Sequence, residues 1–216
     1  MALECLKSDF SIERVFVAES HTEALPFAEE QIVRVSDDVF RFLSDEKTPQ
    51  GVLCRVKIPD TSLRDPQEKC VLLDGVSDPG NVGAILRTAN AAGYTQAYLT
   101  SDCADPFSPK SVRASMSGVF FTKLYIAERE EILQAFQTGG VELVVADMGG
   151  ENVFSFVPPK QFALAIGNEA NGISEQTKSS AKHTVRIPMQ ATQESLNAAV
   201  AAGISMYLLA KETFIK

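Results

Sequence analysis

The chain has 216 residues, 45% hydrophobic and 22% charged, which suits a folded α/β domain plus a small appendage and excludes collagen-like, coiled-coil and disordered chains. A net charge of −8 excludes a protein that coats nucleic acid indiscriminately, because phosphate binding needs clustered Lys and Arg; a local basic site remains open. No apolar run approaches the ~18 residues of a membrane span and no basic-then-apolar leader opens the chain, so the expectation is a cytoplasmic protein without a membrane partner.

Residues 1–58 hold short elements. A helix precedes a strand at Arg14–Ala18, a second strand runs Gln31–Val35, and Ser36 starts a helix through Val39, Phe40 and Leu43. Thr48-Pro-Gln-Gly51 turns the chain into a strand over residues 52–58. So few elements make a thin core, that of a small domain. Residues 59–69, polar with two prolines, read as a linker.

From residue 70 to 216 strands alternate with helices. Strands are predicted over residues 71–74, 96–100, 119–125, 142–147, 162–166 and 185–188, and helices over 81–92, 109–116, 129–137, 174–181 and 195–211. Apolar strands alternating with helices predict an α/β fold, a mostly parallel sheet covered on both faces. The four cysteines, at 5, 54, 70 and 103, form no C-x-x-C pair, and His21 and His183 stand apart. Free thiols, no metal site and no disulfide framework are expected.

Three segments can carry chemistry. Leu73 to Asn90 is a strand, a glycine-bearing turn and a helix, which puts backbone N–H groups at the carboxyl edge of a sheet. Asn81 is placed as the helix cap and Arg87 in its second turn, or the segment is an ordinary tight turn with a surface arginine. Its glycines, at 75, 80 and 83, do not make the G-x-G-x-x-G dinucleotide fingerprint. Ala163 to Ser174 runs a buried strand into a Gly- and Asn-rich loop whose peptide groups can read an adenine edge, or which simply connects, with Glu169 solvated. Val185 to Gly203 leads into an alanine-rich helix with Ser195 at its N-cap, Asn197 in its first turn, and Leu196, Val200, Ile204, Tyr207 and Leu208 as its buried face.

In this order and spacing the segments resemble the three motifs of the SpoU/TrmH group of the SPOUT superfamily of RNA methyltransferases. The matching strings are Asn81-x-Gly83-x-x-x-Arg87-x-Ala89, Gly167-Asn-Glu169-x-x-Gly172-Ile-Ser174, and Ile187-Pro-Met189 followed by Ser195-Leu-Asn197-x-x-Val200-Ala201. Pro109 to Ser115 is similar to the family's segment between the first two motifs. Two departures stand out: Ala191 where many members have glycine, and Ser117-Gly118, which shifts a glycine by one place.

The resemblance implies a C-terminal deep trefoil knot, S-adenosylmethionine as cofactor, a homodimer with its site at the subunit interface, no metal, and methylation of a ribose 2′-hydroxyl in ribosomal or transfer RNA. By position it implies cofactor contacts at Gly167, Ile187, Met189 and Leu196, and a catalytic set of Asn81, Arg87, Glu169, Ser195 and Asn197. Arg87, Arg113 and Lys110 would meet the RNA. Arginine stays protonated in proteins, so Arg87 is read as a phosphate clamp, with the hydroxyl's proton passing to a phosphate oxygen, water or Glu169.

Residues 36–54 resemble the second half of the ribosomal-protein-L30e-like RNA-binding domain that precedes many such enzymes; that domain's opening strand and helix are missing from the sequence. Ribosomal RNA is favoured by this segment and by the lack of a basic extension after the last helix. The alternatives are a non-catalytic RNA-binding or ribosome-assembly factor, and a nicotinamide-dependent oxidoreductase, which the missing fingerprint argues against.

Overall fold

A computed structural model describes every residue except Asp45, Glu68, Glu194, Ile215 and Lys216. The backbone divides into two units, Met1–Asp60 and Thr61–Lys216.

The first unit contains α1 (Ala2–Leu6), β1 (Ile12–Ala18), β2 (Ile32–Val35), α2 (Asp37–Leu43) and β3 (Val52–Val56). Its sheet has the order β2-β1-β3, with β2 parallel and β3 antiparallel to β1. The pairing of β1 with β3 is irregular between Ile12 and Arg14, so Ile12 and Val15 are both buried although three apart; simple alternation misses the start of this strand. Ser36 caps α2 as expected, its hydroxyl accepting from the Val39 amide. Gly51 takes φ +81° at the turn into β3.

The second unit is built on six parallel strands: β4 (Lys69–Asp74), β5 (Gln96–Thr100), β6 (Lys123–Ala127), β7 (Glu142–Asn152), β8 (Phe162–Gly167) and β9 (His183–Arg186). Their order is β6-β5-β4-β8-β7-β9. The helices are α3 (Pro79–Ala91), α4 (Pro109–Ser115), α5 (Gly118–Phe121), α6 (Arg129–Thr138), α7 (Glu175–Ser180) and α8 (Ala198–Leu209). Cys70 to Leu73 of β4 and Ala163 to Leu164 of β8 are fully buried, as expected for central strands covered on both faces. The chain steps outward through β4, β5 and β6, then returns to lay β8 beside β4. The loops after β4 and β8 therefore meet at the carboxyl edge where strand order reverses.

Residues 61–67, read from sequence as linker, are tied to this unit. Gln67 N–H donates to Gln96 Oε1 (2.6 Å), Tyr98 Oη–H to the Arg64 carbonyl (3.0 Å), and Ile126 N–H to the Thr61 carbonyl (3.0 Å).

Three sequence expectations need correcting. Residues 119–125 are not one strand. Gly118 opens the short α5, whose approach to α3 is so close that a Cβ there would lie 2.7 Å from Arg87 Cα; the strand begins only at Lys123. β7 continues five residues beyond Asp147, because Ala146 and Glu151 both pair with Val185 and the residues between bulge out. On α8 the buried residues are Ala198, Ala202, Ser205, Met206 and Leu209, whereas Val200 and Tyr207 are half exposed. That helix is apolar nearly all round, so periodicity selects no unique face, and small Ala198, Ala202 and Ser205 turn inward together with Met206 and Leu209.

Candidate active site

The site starts at the end of β4. Asp74, 1% exposed, accepts from Arg129 Nε through one oxygen (2.5 Å) and from the Ser174 amide through the other (2.8 Å). Arg129 also donates to Asp102 (2.8 Å). A carboxylate this buried needs such partners, and it uses them to join the loop after β8 to the end of β4. Gly75 then turns the chain at φ +71°.

Helix α3 is capped by Asp78, not Asn81: Asp78 Oδ1 accepts from the Asn81 amide (3.0 Å), and Pro79 fills the first helical position. The cap lies three residues earlier than the apolar pattern suggested, and this frees the Asn81 side chain. Asn81 Nδ2 donates to Glu169 (2.7 Å), while Asn81 Oδ1 accepts from Asn197 Nδ2 (2.9 Å). Asn197 Oδ1 in turn accepts from the Ala199 and Val200 amides (2.9 and 3.2 Å). Asn197, not Ser195, is therefore the N-cap of α8. The chain of bonds fixes which way both amides face, with every donor directed toward Glu169.

Glu169 also accepts from Ser77, through both amide and hydroxyl (3.1 and 3.0 Å), and from the Asp78 amide (3.2 Å). Partial burial pushes its pKa up, but the Asn81 side chain and the Ser77, Glu169 and Asp78 backbone amides outweigh this and hold it at about 2. A carboxylate so well supplied with donors is a poor proton acceptor. Asn168 ties the same loop down by donating to the Gly75 carbonyl (2.7 Å) and accepting from the Ala170 and Asn171 amides (2.9 and 3.0 Å). At Gly167 an added Cβ would lie 2.3 Å from the Gly172 backbone, so only glycine permits this contact.

Beside these groups lies a cavity of about 620 Å³. Gly167, Ile187, Met189 and Leu196 all line it, as do Glu169, Ser195 and Asn197. Asn81 joins through its hydrogen bonds. Arg87, Lys110 and Arg113 are not among the lining residues. Arg87 is exposed on α3, six residues beyond Asn81, hence ~9 Å further along the helix and on a different face. Among the described residues it makes no hydrogen bond or ion pair. Lys110 pairs with Asp78 (2.8 Å). All four cysteines are free, as expected.

Asp74, Ser77, Asp78, Asn168 and Arg129 join the site without having been singled out by their sequence pattern. Ser77 and Asp78 carried a signal, a Ser-Asp-Pro run that is a common helix entry. Arg129 carried none, because it reaches Asp74 from 55 residues away.

A family model described as the SpoU rRNA Methylase family matches residues 68–207. A Bacillus subtilis protein named 23S rRNA (guanosine(2553)-2'-O)-methyltransferase RlmP is 29% identical over 180 residues, 83% of this chain and 72% of that protein. A Streptomyces laurentii protein named 23S rRNA (adenosine(1067)-2'-O)-methyltransferase is 33% identical over 184 residues, 82% of this chain and 67% of that protein. The chain spans about two thirds, 65% and 66%, of two further curated relatives, from Synechocystis and Streptomyces viridochromogenes. The solved structure of an AdoMet-bound rRNA methyltransferase from Sinorhizobium meliloti superposes with a TM-score of 0.87 at 28% identity, covering 99% of this chain and 85% of that one.

Proposed function

The chain belongs to the SpoU rRNA methylase family, and from that premise we propose that it transfers a methyl group from S-adenosylmethionine to a ribose 2′-hydroxyl of RNA, ribosomal RNA ahead of transfer RNA. The observation that carries the proposal is the placement of four motif residues, Gly167, Ile187, Met189 and Leu196, around one cavity, with the bonded Glu169–Asn81–Asn197 chain at its edge.

The residues present suit that cofactor. The cavity is large enough for a nucleoside joined to an amino acid, its buried side chains are nearly all apolar, and the exposed ones include Glu169, Asn171 and Arg186. When bound, S-adenosylmethionine supplies an electrophilic methyl group on a sulfonium centre. The protein's contribution is chiefly positioning, since displacement at carbon needs the ribose oxygen held in line. Arg87, whose planar guanidinium offers a fork of donors, holds an RNA phosphate beside the target ribose and polarises the hydroxyl oxygen. Glu169 stays ionised and orients Asn81 and the turn after β4, so the hydroxyl's proton passes to water or to a phosphate oxygen. Asn197 and Ser195 shape the approach to the cavity. Nothing in the site favours a binding-only role: Arg87, Asn197 and the Gly167–Glu169 string are all present.

A homodimer completes this site. Arg87 does not line its own chain's cavity, and α8 turns Val200 and Tyr207, 50% and 45% exposed, outward. On a second copy these would pack together and bring Arg87, Arg113 and Lys110 of one subunit toward the cavity of the other. We extend the proposal to a C-terminal trefoil knot, which rests on the family resemblance. We assign RNA gripping to the first unit as an L30e-like module.

The test is transfer of labelled methyl from S-adenosylmethionine to total RNA from a strain lacking the gene. The wild-type protein is expected to label RNA of ribosomal size, and Arg87→Ala to do so ~100-fold less. Cofactor binding without any transfer, by a chain assayed with full-length ribosomal RNA, would overturn the proposal.

A further inference from the structure

The buried residues that line the cavity are Ile166, Ile173, Val185, Ala198 and Ser205. Four are apolar. Ser205 is 1% exposed, and its hydroxyl has no hydrogen-bond partner among the described residues. A serine or threonine within a helix commonly bonds the carbonyl four residues back. Thr88 of α3 does so, to Ala84 (2.9 Å), but Ser205 does not. Native proteins seldom leave a buried hydroxyl unpaired, and Ser205 lines the cavity, where a ligand brings polar atoms that the protein does not.

Ala198, Ala201 and Ser205 all line the cavity from α8, at positions i, i+3 and i+7 of one helical stripe. Ser205 therefore lies ~10 Å along the helix from Ala198, away from the polar groups around Asn197. A ligand with one charged end and one flat, uncharged end has a favoured direction in such a cavity. The charge stays by Glu169, Asn171 and Arg186, near water, because burying it is costly, and the ring enters among the apolar walls.

Resting on the methyl-donor reading above, we infer that Ser205 is a cofactor-binding residue whose hydroxyl hydrogen-bonds the edge of the adenine base of S-adenosylmethionine. Among the described residues no other buried lining residue offers a side-chain polar atom, so the contact selects a base with hydrogen-bonding atoms on its edge over an apolar ring.

The experiment is calorimetric titration of the full chain with S-adenosylmethionine and, separately, with adenosine, for wild type and Ser205→Ala, together with melting in the absence of ligand. Ser205→Ala is expected to weaken both ligands by a similar factor, about 3- to 10-fold, the loss of one hydrogen bond. Its ligand-free melting temperature should equal or exceed that of wild type, because no bond within the protein is lost. A purely structural serine would give the reverse, a lower melting temperature with unchanged affinities, and that result overturns the inference. Should Ser205→Ala not fold, Ser205→Cys, nearly isosteric and a weak donor, must show the same loss for adenosine. If wild type binds S-adenosylmethionine and the variants bind it equally well, only the Ser205 inference fails. If wild type binds neither ligand, the methyl-donor reading fails with it.

Discussion

Glu169 is a carboxylate whose task is to be held. Its bonds to Asn81, Ser77 and Asp78 lower its pKa from 4.5 to about 2. A depressed pKa contributes stability above the unfolded value that is lost as pH falls through the folded value. Wild type should therefore out-melt Glu169→Gln at pH 6, with the gap closing between pH 4.5 and about 2; thermal melts across that range check it. A gap that persists at pH 2 would mean the side chain acts through packing, not charge. Asn197 has two tasks that can be separated. Asn197→Asp keeps an acceptor for the Ala199 and Val200 amides, so α8 should lose little stability. It removes the donor to Asn81 and sets a carboxylate facing Asn81 Oδ1. Methyl transfer is expected to fall ~100-fold while the melting temperature moves by no more than ~2 °C. Equal losses in both would show that Asn197 is only a cap.

At the scale of elements, α3 is the piece on which the site depends, and glycine decides what can approach it. A Cβ at Gly83 would lie 2.3 Å from the Ser111 carbonyl and 2.6 Å from Ala114 Cβ of α4. At Gly203 of α8 the nearest atom, Thr88 Cγ2, would be 3.5 Å away, ordinary contact. Gly83→Ala should cost ~1–3 kcal/mol through overpacking, and Gly203→Ala should be neutral or gain up to ~1 kcal/mol of helix propensity; urea denaturation of both compares them directly. These elements also show what the sequence made legible. β4, β5, β8 and the first half of β7 were readable from their apolar runs, and β6 and β9 only in part, since the one starts four residues later and the other two residues earlier than predicted; the motif glycines and asparagines were readable from their spacing. The N-caps of α3 and α8 were not read: Asp78 and Asn197 are each displaced from the residue that the apolar pattern suggests, although the Ser77-Asp78-Pro79 run carries a local signal for the first. The inward face of α8 was also misread, since Ala198, Ala202 and Ser205 turn inward with Met206 and Leu209, while Val200 and Tyr207 point out.

For the whole molecule, those outward residues and the separation of Arg87 from the cavity are what the proposed homodimer rests on. Tyr207→Glu, 45% exposed in the single chain, should leave the fold intact, shift the protein to monomer in sedimentation equilibrium, and abolish transfer while S-adenosylmethionine still binds. A monomeric variant with full activity would place Arg87 outside the reaction or the site within one chain. The acidic balance of −8 means that RNA affinity must come from a local basic surface, so sequence-independent binding should be weak and salt-sensitive. The most direct measurement is of the product. Ribosomal RNA methylated with labelled S-adenosylmethionine is digested to nucleosides and the labelled nucleoside is identified by mass spectrometry. The expected result is a 2′-O-methylribonucleoside at one position, absent with Arg87→Ala. Label on a base, with an unmodified ribose, would contradict it.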